Sequence, residues 1–139
     1  VSALPGNKLS PVASLKCKVL QVKNLHPSDG TVGYGRHGEI AADGTVVATT
    51  AVGYADGLDR HLSCGKGSFS INGQRVPTIG NICRDMTMLD VTGMDVKEGD
   101  TVTIFGEDPT VSELAEILGT IPYEILTSVP RRIERVIVK

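Results

Sequence analysis

No apolar run in this 139-residue sequence approaches the roughly 20 residues that a membrane-spanning helix requires, and no cationic stretch leads into an apolar one as in a signal segment. A soluble, cytoplasmic chain without membrane contact is the expectation. Basic tracts are missing too. Beyond Arg131 and Arg132 the cations are scattered, and 14 Lys and Arg against 16 Asp and Glu leave a formal net charge of -2. That balance gives no electrostatic footprint for a nucleic acid, although one well-placed arginine suffices for a small anion. The three cysteines, Cys17, Cys64 and Cys83, cannot all pair and form no CxxC unit, so free thiols in a reducing compartment are expected. No glycine-rich phosphate loop of Walker or dinucleotide type occurs, and a phosphorylated cofactor would draw most of its cradle from elsewhere.

What is present is a β pattern. The length suits one domain over residues 1–139, and 40% hydrophobic with 22% charged residues suits a globular core. After a turn-rich lead-in, alternation begins in SLKCKVLQVK (14–23), where neither face is cleanly apolar. Further short strands are predicted at 31–35, 45–54, 67–71, 74–80, 86–91, 100–105 and 132–138. Asn72-Gly73 signals a type I′ hairpin, and Pro77 points to an edge, a bulge or a strand end. Thr110 and Glu113 have capping-box spacing, Val111, Leu114, Ala115, Ile117 and Leu118 recur at helical intervals, and Gly119 supplies a stop. The expected fold is mostly β, a small β-barrel-like domain of short strands with one helix near the C-terminal end.

Four clusters can carry chemistry. TTAVGYADGLDRHL (49–62) passes from an apolar run into Tyr54, Asp56, Asp59, Arg60 and His61. These match neither the spaced oxygens of a calcium loop nor the paired histidines of a zinc enzyme, so no metal is expected. Asp56 can instead cap backbone N–H groups, and Arg60 can pair with a carboxylate. VGYGRHG (32–38) sets Tyr34 between two glycines, a placement that suits a phenol projecting beside a ligand. To act as a base at neutral pH, a phenol of pKa ~10 needs neighbouring cations or hydrogen bonds. GNICRDMTMLDV (80–91) offers Cys83, a buried hydrophobe or a nucleophile, and Arg84, half of a surface pair with Asp85 or a bidentate carboxylate ligand. IPYEILTSVPRRIERV (121–136) offers Tyr123, a half-buried core tyrosine or a phenol on a phosphate.

In this order along one chain, SLKCKVLQVK, VGYGR, AVGYADGLDR, NGQRVPTIGNICRD, GDTVTIFG and PYEILTSVPRR resemble the C-terminal domain of alanine racemases, pyridoxal 5'-phosphate enzymes that interconvert L- and D-alanine. The resemblance spans essentially the whole chain. It implies a homodimer in which an N-terminal (β/α)8 barrel, absent from these residues, carries the lysine that forms the Schiff base. The β domain then closes over the barrel mouth of the partner subunit. Alone, it is expected to be inactive and to bind no cofactor tightly.

By the same resemblance Tyr34 is the second acid–base residue, placed across the cofactor from the lysine, since racemisation needs proton transfer on opposite faces. Tyr54 and Arg60 line the substrate channel, and Tyr123 both lines it and binds the cofactor phosphate, with Ile121 beside it. The sequence departs from the family pattern in GNICRD, where Asn81 replaces a channel arginine and Arg84 replaces a methionine whose backbone N–H approaches the substrate carboxylate. Alanine is the expected small amino-acid substrate. The alternatives are serine racemisation, a related decarboxylase, and a non-enzymatic assembly or small-ligand-binding domain.

Overall fold

The computed structural model describes residues 13–26 and 44–137. The strand expected at 31–35, and Tyr34 with it, lie outside the described residues. Among these, the strands are Leu15–Leu25 (β1), Thr45–Thr50 (β2), Ser68–Ile71 (β3), Gln74–Pro77 (β4), Thr87–Asp90 (β5) and Thr101–Phe105 (β6). They form one antiparallel sheet in the order β4-β3-β6-β1-β2-β5. Its two ends meet through a bridge between Thr78 and Leu89, where the Ile79 N–H donates to the Met88 carbonyl at 3.0 Å. The sheet therefore curls into a nearly closed barrel, as expected for many short strands on one core.

The long strand β1 joins the two halves. Leu15 to Lys18 pair with β6, Val19 to Leu25 pair with β2, and the register with β2 slips between Val19 and Gln21. A bulge of this kind adds one residue and inverts the side-chain alternation beyond it. Hence Leu15, Cys17 and Val19 face the core before the slip and Val22 after it, while Leu20 is 50% exposed. This is why no single face of SLKCKVLQVK reads as apolar.

Local turn chemistry behaves as expected. Asn72 and Gly73 both take positive φ, 52° and 78°, as a type I′ turn requires, and Pro77 ends the edge strand β4 where no ladder donor is needed. The barrel closes over Phe69, Ile71, Val76, Leu89, Val91, Val102 and Ile104, all essentially inaccessible, each stabilising the fold by about 1.5–3 kcal/mol. Its buried threonines are satisfied. Thr50 Oγ1 donates to the Thr87 carbonyl at 2.9 Å, Thr87 Oγ1 to the Val52 carbonyl at 2.6 Å, and Thr78 Oγ1 to the Leu62 carbonyl at 2.7 Å.

The helix Val111–Leu118 (α1) is capped by Thr110, with the Glu113 N–H donating to Thr110 Oγ1 at 3.1 Å and Gly119 in the left-handed region, but the Glu113 carboxylate turns to Arg75, so only this half of the expected capping box forms. The expectation of one helix is corrected by a second, Pro122–Ser128 (α2), which has proline in its first turn and buries Ile125. The strand predicted at 132–138 is also corrected, since the described residues 131–137 are not extended into a sheet. The alternation of RIERVIV finds no core to face. Val136 and Ile137 are 73% and 89% exposed.

Candidate functional site

β2 stops at Thr50, short of the predicted end at Tyr54, because the chain there is captured by another loop. Gly53 packs so closely on the Cys83 and Arg84 carbonyls that a Cβ would lie 2.3 Å from each oxygen. Its φ of -146° is open to any residue, so space and not conformation demands the glycine. The Tyr54 N–H then donates to the Cys83 carbonyl and the Ala55 N–H to the Arg84 carbonyl, both at 2.9 Å. Tyr54–Asp56 consequently folds as one 3-10 turn stitched to the loop that bears Asn81 and Arg84.

Tyr54 is 46% exposed, and the Arg60 guanidinium carbon stands 5.8 Å from its ring centroid. Arg60 thus engages a π face rather than the carboxylate anticipated for it, a contact worth about 0.5–1 kcal/mol at an exposed position. The Arg84 guanidinium has no hydrogen-bond or ion-pair partner among the described residues, so the surface pair with Asp85 is not formed. Asn81 is half-buried, and its Oδ1 accepts from Cys64 Sγ at 3.5 Å. Cys83 is buried with its thiol toward the Asn81 carbonyl at 3.8 Å, which favours the packing role over the nucleophilic one.

The polar residues of the 49–62 stretch separate into different tasks. Asp59 Oδ1 accepts from the His61 N–H at 2.8 Å and contacts its Nδ1 at 2.7 Å, capping the 3-10 turn Arg60–Leu62. Asp56 is buried, its Oδ2 accepting from the Gly53 N–H at 2.9 Å while its Oδ1 pairs with Arg132. Arg132 also donates to the Ala55 carbonyl at 2.8 Å. Nothing local in the sequence links VPRR to YADG, so this pairing was not legible there. Asp90 anchors a turn, accepting from the Thr92 N–H at 3.1 Å. Among the described residues no group of three or more His, Cys, Asp or Glu is gathered to hold a metal, and no helix is long and apolar enough to cross a membrane.

Ile121 and Tyr123 stand at the start of α2, 59% and 57% exposed. That exposure removes Tyr123 from the core of the described residues, and its phenol has no partner among them. The helix is held by its other face. A Cβ on Gly57 would lie 2.7 Å from the Ser128 carbonyl oxygen, so α2 abuts the turn that carries Tyr54. The crevice between them, lined by Leu58, Leu62, Ile104 and Ile125, leaves about 30 Å³, room for water but not for an amino acid. Tyr54, Arg60 and the loop bearing Arg84 are thus gathered in one region, and its two guanidinium groups, free of carboxylate partners among the described residues, suit a small anionic ligand.

The alanine racemase C-terminal domain model matches residues 12–137. Alanine racemase 1 of Clostridium acetobutylicum is 41% identical over 136 residues, covering 94% of this chain and 34% of the relative. The solved alanine racemase of Streptomyces coelicolor A3(2) superposes with a TM-score of 0.84 at 32% identity, over 92% of this chain and 34% of that one. For the alanine racemase of Bartonella henselae with covalently bound pyridoxal phosphate the TM-score is 0.80 at 33% identity, over 88% of this chain and 34% of that one. The chain spans about a third of the length of the relatives it matches.

Proposed function

This chain belongs to the family of alanine racemase C-terminal domains, and from that membership we propose that it forms the partner-side half of the active site of a pyridoxal-phosphate-dependent alanine racemase. The observation that carries the reading is the backbone stitch between 54–55 and 83–84, which sets the exposed Tyr54 beside an Arg84 without a carboxylate partner. Tyr34 moves the proton on one face of the substrate carbon, and a group of the N-terminal barrel of the partner subunit in the homodimer moves it on the other. Tyr54, Arg60, Asn81, Ile121 and Tyr123 line the approach. Arg84 holds the substrate carboxylate through its guanidinium, a charged grip that a methionine side chain does not offer.

The described residues fit one contact to the cofactor. The exposed Tyr123 phenol is free to donate to a phosphate oxygen, and the remaining cradle falls to the barrel. When bound, pyridoxal phosphate supplies the electron sink that makes an amino acid's α-proton removable. The relatives reported above are named alanine racemases and give the serine alternative no support.

In the full-length enzyme, Tyr34→Phe is expected to lower kcat from both L- and D-alanine by at least ~100-fold. Unchanged rates from both enantiomers would remove the acid–base role. The isolated chain, given cofactor and L-alanine, is expected to form no D-alanine, and turnover at enzyme level would end the idea that half of the site lies on another domain.

A further inference from the structure

We infer that Asp56 and Arg132 are positioning residues that hold the substrate-side face in register, an inference whose catalytic consequence rests on the racemase reading above. Three segments meet at this pair. The Asp56 carboxylate, its side chain 10% exposed, accepts from the Gly53 N–H with Oδ2 and pairs with Arg132 through Oδ1. Gly53 is the residue wedged against the Cys83 and Arg84 carbonyls. Arg132 spans the same turn, donating to the Ala55 carbonyl at 2.8 Å, and Ala55 in turn donates to the Arg84 carbonyl at 2.9 Å. Arg132 is itself seated by the segment that follows α2, where Arg135 donates to the Pro130 and Ile133 carbonyls, both at 2.7 Å, and to the Val129 carbonyl at 3.2 Å.

The pair therefore couples the C-terminal segment to the Tyr54 turn, and through Gly53 and Ala55 to the backbone that carries Arg84. Removing Arg132 leaves the buried Asp56 carboxylate without its cation, removing Asp56 leaves the Gly53 N–H without its acceptor, and in either case the turn gains freedom to lift off the 83–84 carbonyls. The expected result is looser substrate binding with the barrel intact.

Amide hydrogen exchange on the 139-residue chain, read residue by residue by NMR, tests this directly. Asp56→Ala and Arg132→Gln are each expected to speed exchange at Gly53, Tyr54 and Ala55 by roughly tenfold or more, with the amides of β1 and β6 unchanged. Arg132→Lys, which keeps the charge but not the fork, is expected to recover part of the protection. In the full-length enzyme the same changes are expected to raise the KM for alanine more than they lower kcat. The double variant is expected to match the worse single one, because both break one linkage. Equal acceleration throughout the barrel, or no acceleration at 53–55, overturns the inference, as do strictly additive losses in the double variant. An enzyme that racemises no alanine even before mutation overturns the racemase reading alone, and the exchange result then still decides the coupling.

Discussion

Arg75 and Arg84 carry the same side chain into opposite surroundings. The Arg75 Nε and Nη2 donate to Asp108 Oδ1 at 3.0 and 2.6 Å, its Nη1 and Nη2 reach the two Glu113 oxygens at 2.8 and 2.7 Å, and Nη1 also meets Ser68 Oγ at 2.8 Å. The fork is saturated and ties β4 to α1 and to the loop before it. Hydrogen bonding to Glu113, then Asp108, pushes Arg75 further toward the cation, and the guanidinium holds both carboxyls below their usual range. Arg84 rests on a backbone held to the Tyr54 turn through the Cys83 and Arg84 carbonyls and meets no carboxylate among the described residues. A cation satisfied inside the fold adds stability, whereas one fixed in place and left unsatisfied keeps its binding capacity for a ligand. Arg132 is intermediate, paired like Arg75 but spending the pairing on the shape of the site.

The comparison breaks most severely at a residue with no charge. Gly53→Ala forces a methyl into the Cys83 and Arg84 carbonyl oxygens, which are backbone atoms and cannot swing aside. We expect a loss of about 3 kcal/mol in denaturant unfolding, together with loss of racemisation in the full-length enzyme. Near-wild-type stability would show that the two segments separate at little cost. Arg84→Met comes next and separates binding from folding. The KM for alanine is expected to rise by roughly tenfold, the loss of a charge-assisted pair, while stability stays within about 0.5 kcal/mol of the parent. A drop in stability with KM unchanged would place Arg84 with Arg75 as a structural residue.

Local chemistry was legible in the sequence and remote pairing was not. The hairpin at Asn72-Gly73 and the cap at Thr110 follow from backbone preferences of two to four neighbouring residues, and both are found as read. The bulge in β1 hid the core face of that strand, because alternation shifts by one residue at a point that no composition marks. α2 leaves only a faint helical stripe in the sequence, because one residue of its seven, Ile125, is buried. In the candidate site, the residue types were readable in Tyr54, Arg60, Arg84 and Tyr123, but their surroundings were not. That Arg60 lies over a ring, that Arg84 lacks a carboxylate and that Asp56 turns inward to Arg132 all depend on contacts across the barrel.

The smallest effect is expected where Arg75 ties Asp108 and Glu113 together, and its pH dependence identifies its origin. Arg75→Gln should cost about 1 kcal/mol near neutral pH, since the groups are partly exposed and screened by solvent. Arg75 lowers the Glu113 carboxyl below its ordinary 4.5, so the stabilising contribution is complete above the unfolded-state value and is lost as the pH falls through the lower folded one. The gap between parent and variant, read as urea midpoints, should therefore hold from neutral pH to mildly acidic conditions and close in stronger acid as Glu113 and Asp108 take up protons. Arg84→Met, with no carboxylate to lose, should show no such closing. A gap at Arg75 that persisted unchanged into acid would assign its effect to the packing of its aliphatic stem, and the contrast between the two arginines would then lie in their burial and not in their charge partners.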